Sequence, residues 1–137
     1  MFLTGARESA QRPAQVLLWR HHLGYSEGVA PKRKERNASG LIKTEDMEYH
    51  LRCASGAKAL YREEVWEDAA GKVVKYNLAF IHFGLCQQDH GRVVGYDNAH
   101  GRHERHFMGR AREVDFVSYE VMLRKFQKEV QHYRETT

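Results

Sequence analysis

The stretch Lys72–Phe83 constrains this chain most. Val74, Tyr76, Leu78 and Phe80 recur at every second position, with Lys75 and Asn77 between them. That period gives a strand one apolar and one polar face, and it does not fit a helix. A half-buried strand cannot stand alone in water, so it needs neighbours. Ala57–Trp66 supplies one, with Tyr61, Val65 and Trp66 as β-favouring bulk. Asp68-Ala69-Ala70-Gly71 between the two is a turn signal. Arg92–Asn98 supplies the other, with Val94 and Tyr96 on one face. It is reached through the polar, glycine-bounded connection Gly84–Gly91.

Farther on, Glu113–Val117 reads as another short strand. Ser118 then suits a helix N-cap. Val117 and Met122 are placed to form a hydrophobic staple across it. Glu120 falls in the first turn, where the helix dipole favours a carboxylate. Tyr119, Met122, Leu123, Phe126, Val130 and Tyr133 follow at helical spacing and form one packing stripe. The expected fold is α+β, an antiparallel β-meander packed against a C-terminal helix.

Residues 1–46 read differently. Apart from Ala14–Leu23 they hold no lasting apolar period. Gly28–Gly40 contains Pro31, Lys32-Arg33-Lys34 and Asn37-Ala38-Ser39-Gly40. Such a stretch buries too little apolar surface to offset chain entropy. It is expected to be a poorly ordered or loosely attached extension or linker, with residues 47–137 as the single folded domain. Translation starting at Met47 is a further reading. Cys53 and Cys86 lack metal-type spacing and read as core or free thiols. Met1–Leu23 lacks a secretory leader pattern, and Val16-Leu17-Leu18-Trp19 is too short to span a bilayer. A cytoplasmic protein without a membrane segment is the expectation.

The net charge of +4 is too small to define a partner, but the charge is local. Between Ala99 and Arg112 stand four arginines, three histidines and one acid, Glu104. A strand-to-loop junction needs Gly, Asn or Asp for its backbone. It does not need imidazoles and guanidiniums. His100, His103 and His106 recur at intervals of three and could bind Zn²⁺ with Glu104 or Asp97, although no established zinc spacing matches.

Metal-free phosphodiester chemistry fits the same residues, and no cofactor is expected. RNA carries its own nucleophile, the 2′-hydroxyl. Histidine suits the proton transfers, and arginine suits the charged phosphorane. Glu104 either acts as base or holds an arginine. His103, Glu104, Arg105 and His106 are therefore the candidate catalytic residues. Asp97 either orients an imidazole or caps an Asx turn with Asn98. Tyr96 reads as core. Arg102, Lys75, Arg110 and Arg112 are the candidate nucleic-acid contacts.

Tyr96-Asp97-Asn98, Gly101 and Arg105-His106 together resemble the YDN…G…H-R-H signature of TumE-type toxins from bacterial toxin–antitoxin modules. Lys75-Tyr76-Asn77-Leu78 is similar to that family's K-Y-x-L strand, and Phe116-Val117-Ser118 to its closing F-x-S segment. The resemblance covers about Ala57–Val130. Glu104 stands where the family has the first histidine, and the preceding glycine-rich stretch is one residue shorter. The resemblance implies a toxin neutralised by a cognate antitoxin, often a helix-turn-helix protein, and small toxins of this kind often cleave RNA. A non-catalytic nucleic-acid- or protein-binding module and a metal-dependent hydrolase remain the alternatives.

Overall fold

A computed structural model describes residues 39–137. The expected extension falls almost wholly outside these residues, as does the apolar stretch Ala14–Leu23. Among the described residues, six strands and one α-helix follow in order: β1 (Ile42–Arg52), β2 (Lys58–Glu67), β3 (Val73–Ile81), β4 (Arg92–Asp97), β5 (Glu104–Phe107), β6 (Arg110–Glu113) and α1 (Tyr119–Thr136). The strands pair in sequence order, each antiparallel to the next. The meander and its C-terminal helix are thus as the alternation implied.

Register decides which side chains share a face. Tyr61 pairs with Phe80, Val65 with Tyr76, Leu78 with Tyr96 and Phe80 with Val94. All of these are buried. Against them α1 lays Met122, Leu123, Phe126 and Val130, with the Phe126 ring 5.2 Å from that of Tyr61. Each such side chain contributes about 1.5–3 kcal/mol on leaving water. Glu63 shares this face and is fully buried, in hydrogen-bond contact with the Tyr61 hydroxyl. Burial and that carboxylate push the Tyr61 hydroxyl well above its ordinary pKa.

Both ends of α1 are satisfied. Ser118 is the N-cap, accepting a bond from Val121 N at 3.2 Å. Ser118→Ala should cost about 1 kcal/mol, read as a lowered urea midpoint. Val117 is 76 % exposed, so it adds little apolar burial as a staple, while Met122 lies in the core. At the other end the β1–β2 turn supplies donors that the helix lacks. Ala54 N bonds to Arg134 O at 2.8 Å and Ser55 N to Thr137 O at 2.9 Å.

Three further elements differ from expectation. β1 starts at Ile42, so the strand crosses position 46. Its polar run Lys43–Asp46 hides an edge strand from any apolar pattern. β6 covers Arg110–Glu113 rather than Glu113–Val117. The chain reverses at once after Phe107, through Met108 (φ 48°) and Gly109 (φ 82°), so pairing resumes at Arg110. Finally, only residues 98–103 of the histidine-rich segment are loop, because Glu104–Phe107 is itself a strand.

Candidate functional site

The pleat divides the histidine-rich run. In β5, Arg105 lies opposite Tyr96 and Phe107 opposite Val94, so both side chains join the α1 side. Glu104 lies opposite Asp97 and His106 opposite Gly95, so both point to the far side. Four consecutive candidates therefore do not form one group. A strand cannot direct neighbouring side chains to one face.

On the far side Arg92 is the hub. Its Nε donates to Asp89 Oδ2 at 2.7 Å, Nη1 to Asp97 Oδ2 at 3.0 Å and Nη2 to His106 Nδ1 at 2.7 Å. The local sequence makes room for this. Asp89 and His90, neither a glycine, adopt φ of 49° and 54° in the turn before β4. That strained turn brings the Asp89 carboxylate beneath the guanidinium. Gly95 is needed for a different reason. A Cβ there would lie 2.5 Å from the Leu78 carbonyl oxygen and 2.6 Å from Arg92 Cδ. The bare backbone lets the Arg92 stem cross β4.

An arginine is always a donor, so the bond from Arg92 makes His106 Nδ1 the acceptor and leaves the proton of a neutral ring on Nε2. Nε2 is buried, 3.0 Å from Asp97 Oδ2 and 3.9 Å from Glu104 Oε2, and misaligned for a hydrogen bond. Asp97 forms the Asx turn and lies beside an imidazole without hydrogen-bonding to it. Its Oδ1 accepts from Ala99 N at 3.3 Å as an Asx turn does, and its Oδ2 faces the imidazole. Asn98 fastens the same corner to β3, accepting from Tyr76 N at 3.0 Å and donating to Val74 O at 2.8 Å.

Glu104 links this buried network to the surface. Oε1 accepts from Arg102 Nε at 2.7 Å, and Oε2 lies 3.4 Å from His100 Nδ1. The Glu104 side chain is 5 % exposed, whereas those of Arg102 and His100 are 59 % and 74 % exposed. First Arg102 and then His100 hold the Glu104 carboxyl below its ordinary range. Beside this corner a cleft of about 390 Å³ is lined by Lys75, Asn77, His90, Arg92, Asp97 and others. Lys75 thus lies on the far side, near the site.

The other candidates are elsewhere. His103 stacks on Phe116 at 3.7 Å and its Nδ1 is bonded to the Tyr76 hydroxyl at 2.8 Å. It is a packing residue, and burial lowers its pKa. A lowered value in the fold means that the unfolded chain binds the proton more readily. Stability should therefore fall as pH drops below about 6.5. His103→Gln should flatten that dependence, measured as urea midpoints at pH 7.5 and 5.5. Arg105 grips Glu129 of α1, and this carboxylate raises the pKa of the guanidinium further. Arg110 and Arg112 are exposed on the edge strand β6.

The three histidines do not converge on a metal-like group. Among the described residues, the ligand atoms that do lie together, within 4.8 Å, belong to Asp97, Glu104 and His106. Sequence reasoning missed Arg92, Asp89 and His100 as site residues. Arg92 and Asp89 lie outside the dense run. His100 reads from its spacing only as a metal ligand.

No family model, curated protein or solved structure matches the chain. Among the described residues no helix is long and apolar enough to cross a membrane.

Proposed function

We propose that this chain is the toxin component of a bacterial toxin–antitoxin module, of the TumE type, and that it cleaves RNA without a metal. One observation carries the chemistry: a buried carboxylate, Glu104, presents an imidazole and a guanidinium side by side at the surface. His100 is the proton-transfer group and Arg102 the phosphate ligand. Glu104, His106, Asp97 and Arg92 are positioning residues beneath them. His100 takes the proton of the 2′-hydroxyl. The 2′-oxygen then bonds to phosphorus, the bond from phosphorus to the 5′-oxygen breaks, and the imidazolium returns the proton to that oxygen. The products are a 2′,3′-cyclic phosphate and a 5′-hydroxyl. Arg102 balances the charge that grows on the phosphorane. The YDN corner supports the family reading, because Asp97 and Asn98 both build the site.

A second reading has its own observation, the convergence of Asp97, Glu104 and His106. A cation ligated by His106 Nε2 would need the proton on Nδ1, where Arg92 already donates. Arg92 would have to leave, so the metal-free reading is favoured.

The test incubates purified protein with single-stranded RNA, with and without a chelator, and identifies the new termini. Cyclic phosphate ends formed equally in both samples are expected. Activity abolished by the chelator and restored by Zn²⁺ would favour the hydrolase reading. Salt-sensitive binding with no products would leave a binding module. Expression in a bacterium should arrest growth, and a neighbouring regulator gene should relieve it. Growth unaffected by the chain alone would sink the toxin reading.

A further inference from the structure

We propose that the cleft between β5–β6 and α1 is an anion-binding subsite that takes a phosphate group of a single-stranded nucleic acid. It lies on the α1 side of the sheet, away from the Glu104 and His106 side chains, and measures about 380 Å³. Arg105 and Arg112, which both line it, stand directly opposite each other in the β5–β6 ladder. Like charges in that relation repel, and Glu129 is bonded to Arg105 and not to Arg112. Lys125 brings a third cation to the cleft from α1.

The lining holds three cations, Arg105, Arg112 and Lys125, against two carboxylates, Asp115 and Glu129, so its balance stays positive. Glu129 is already shared between Arg105, which bonds to both its oxygens, and the Tyr96 hydroxyl. Asp115, Arg112 and Lys125 form no ion pair among the described residues. Two unpaired cations and one unpaired carboxylate, Asp115, therefore flank an arginine that α1 holds in place, and the cations outnumber the carboxylate. Arginine forks match phosphate oxygens in pairs, and lysine adds a point charge. A pocket of this size suits a small ligand, with room for about one nucleotide. The outer wall, β6, is a four-residue edge strand exposed throughout, so a longer strand can pass over it. Phosphate as the ligand chemistry follows from the cleft itself. Nucleic acid as its source rests on the ribonuclease reading above.

The experiment measures binding of a short 2′-O-methyl RNA, which cannot be cleaved through its 2′-oxygen, by fluorescence anisotropy across a salt series. The double variant Arg112→Ala/Lys125→Ala should bind about tenfold more weakly than the unaltered protein, with a salt slope shallower by roughly 1. Arg124→Ala/Lys128→Ala removes the same charge from exposed α1 positions outside the cleft, and it should bind as the unaltered protein does. Equal affinity and slope for the cleft variant would overturn the proposal, and so would an equal loss in both double variants. A parallel arm follows Tm with inorganic pyrophosphate. If the unaltered protein ignores RNA but is stabilised by pyrophosphate, and the cleft variant is not, the anion site stands and nucleic acid as its source falls. Indifference to both probes would overturn the site itself.

Discussion

Arg92→Ala should destabilise the folded chain by about 3–5 kcal/mol, the range seen when one partner of a buried ion pair is removed. For a folded part of about 100 residues that is a fall in Tm on the order of 15–30 °C. The reason is what the substitution leaves behind. The side chains of Asp97 and His106 are only 9 % and 11 % exposed, and Arg92 serves both while also holding Asp89. Without the guanidinium two carboxylates face each other near the end of β4–β5 with one misaligned imidazole between them. Arg92→Lys keeps the charge but not the fork, so its loss should be intermediate. Urea midpoints measure both. An Arg92→Ala midpoint within about 1 kcal/mol of the unaltered protein would mean that the network does not hold this corner.

The second large effect is on chemistry. His100→Ala should slow RNA cleavage by about 10²–10⁴-fold, the usual contribution of a positioned acid–base group. It should leave the urea midpoint nearly unchanged, because the side chain is mostly exposed. Cleavage at the original rate would remove His100 from the mechanism. Glu104→Gln asks what positions it. The amide keeps the shape but loses the charge that holds both His100 and Arg102. Activity should fall while the strand persists. A pH readout separates this from a packing defect. The Glu104 carboxyl has a depressed pKa in the fold. Its stabilising contribution is thus present above the ordinary carboxylate value of about 4.3 and is lost as pH falls through the lower folded value. The unaltered protein should therefore lose more stability between pH 5 and pH 3 than Glu104→Gln does. Parallel curves would show that the carboxylate's charge does no positioning.

The fold was legible wherever one face of an element met water. Tyr76, Leu78 and Phe80 marked β3 because α1 covers that face alone. Ser118 and the Tyr119–Val130 stripe marked the helix for the same reason. β1 escaped notice because its first half is polar and pairs through backbone, which leaves no side-chain period to read. The site was legible only as a region. Its density of histidine and arginine points to residues 97–106, but nothing in the sequence places His103 in a loop and Glu104, Arg105 and His106 in a strand. Since β5 begins at Glu104, alternation sends Arg105 to Glu129 and His106 to Arg92.

The sequence by itself therefore determined the meander, the helix, the cap at Ser118 and the stretch where polar chemistry gathers. All of these depend on local period and local hydrogen bonding. Only the tertiary structure decided which charged groups meet. Arg92 reaches His106 across fourteen residues because β4 and β5 pair in one register and Gly95 leaves the passage open. His103 left the candidate group because Phe116, thirteen residues on, returns to cover its ring. Such meetings depend on strand register and on the space between elements, and no spacing along the chain encodes either one alone.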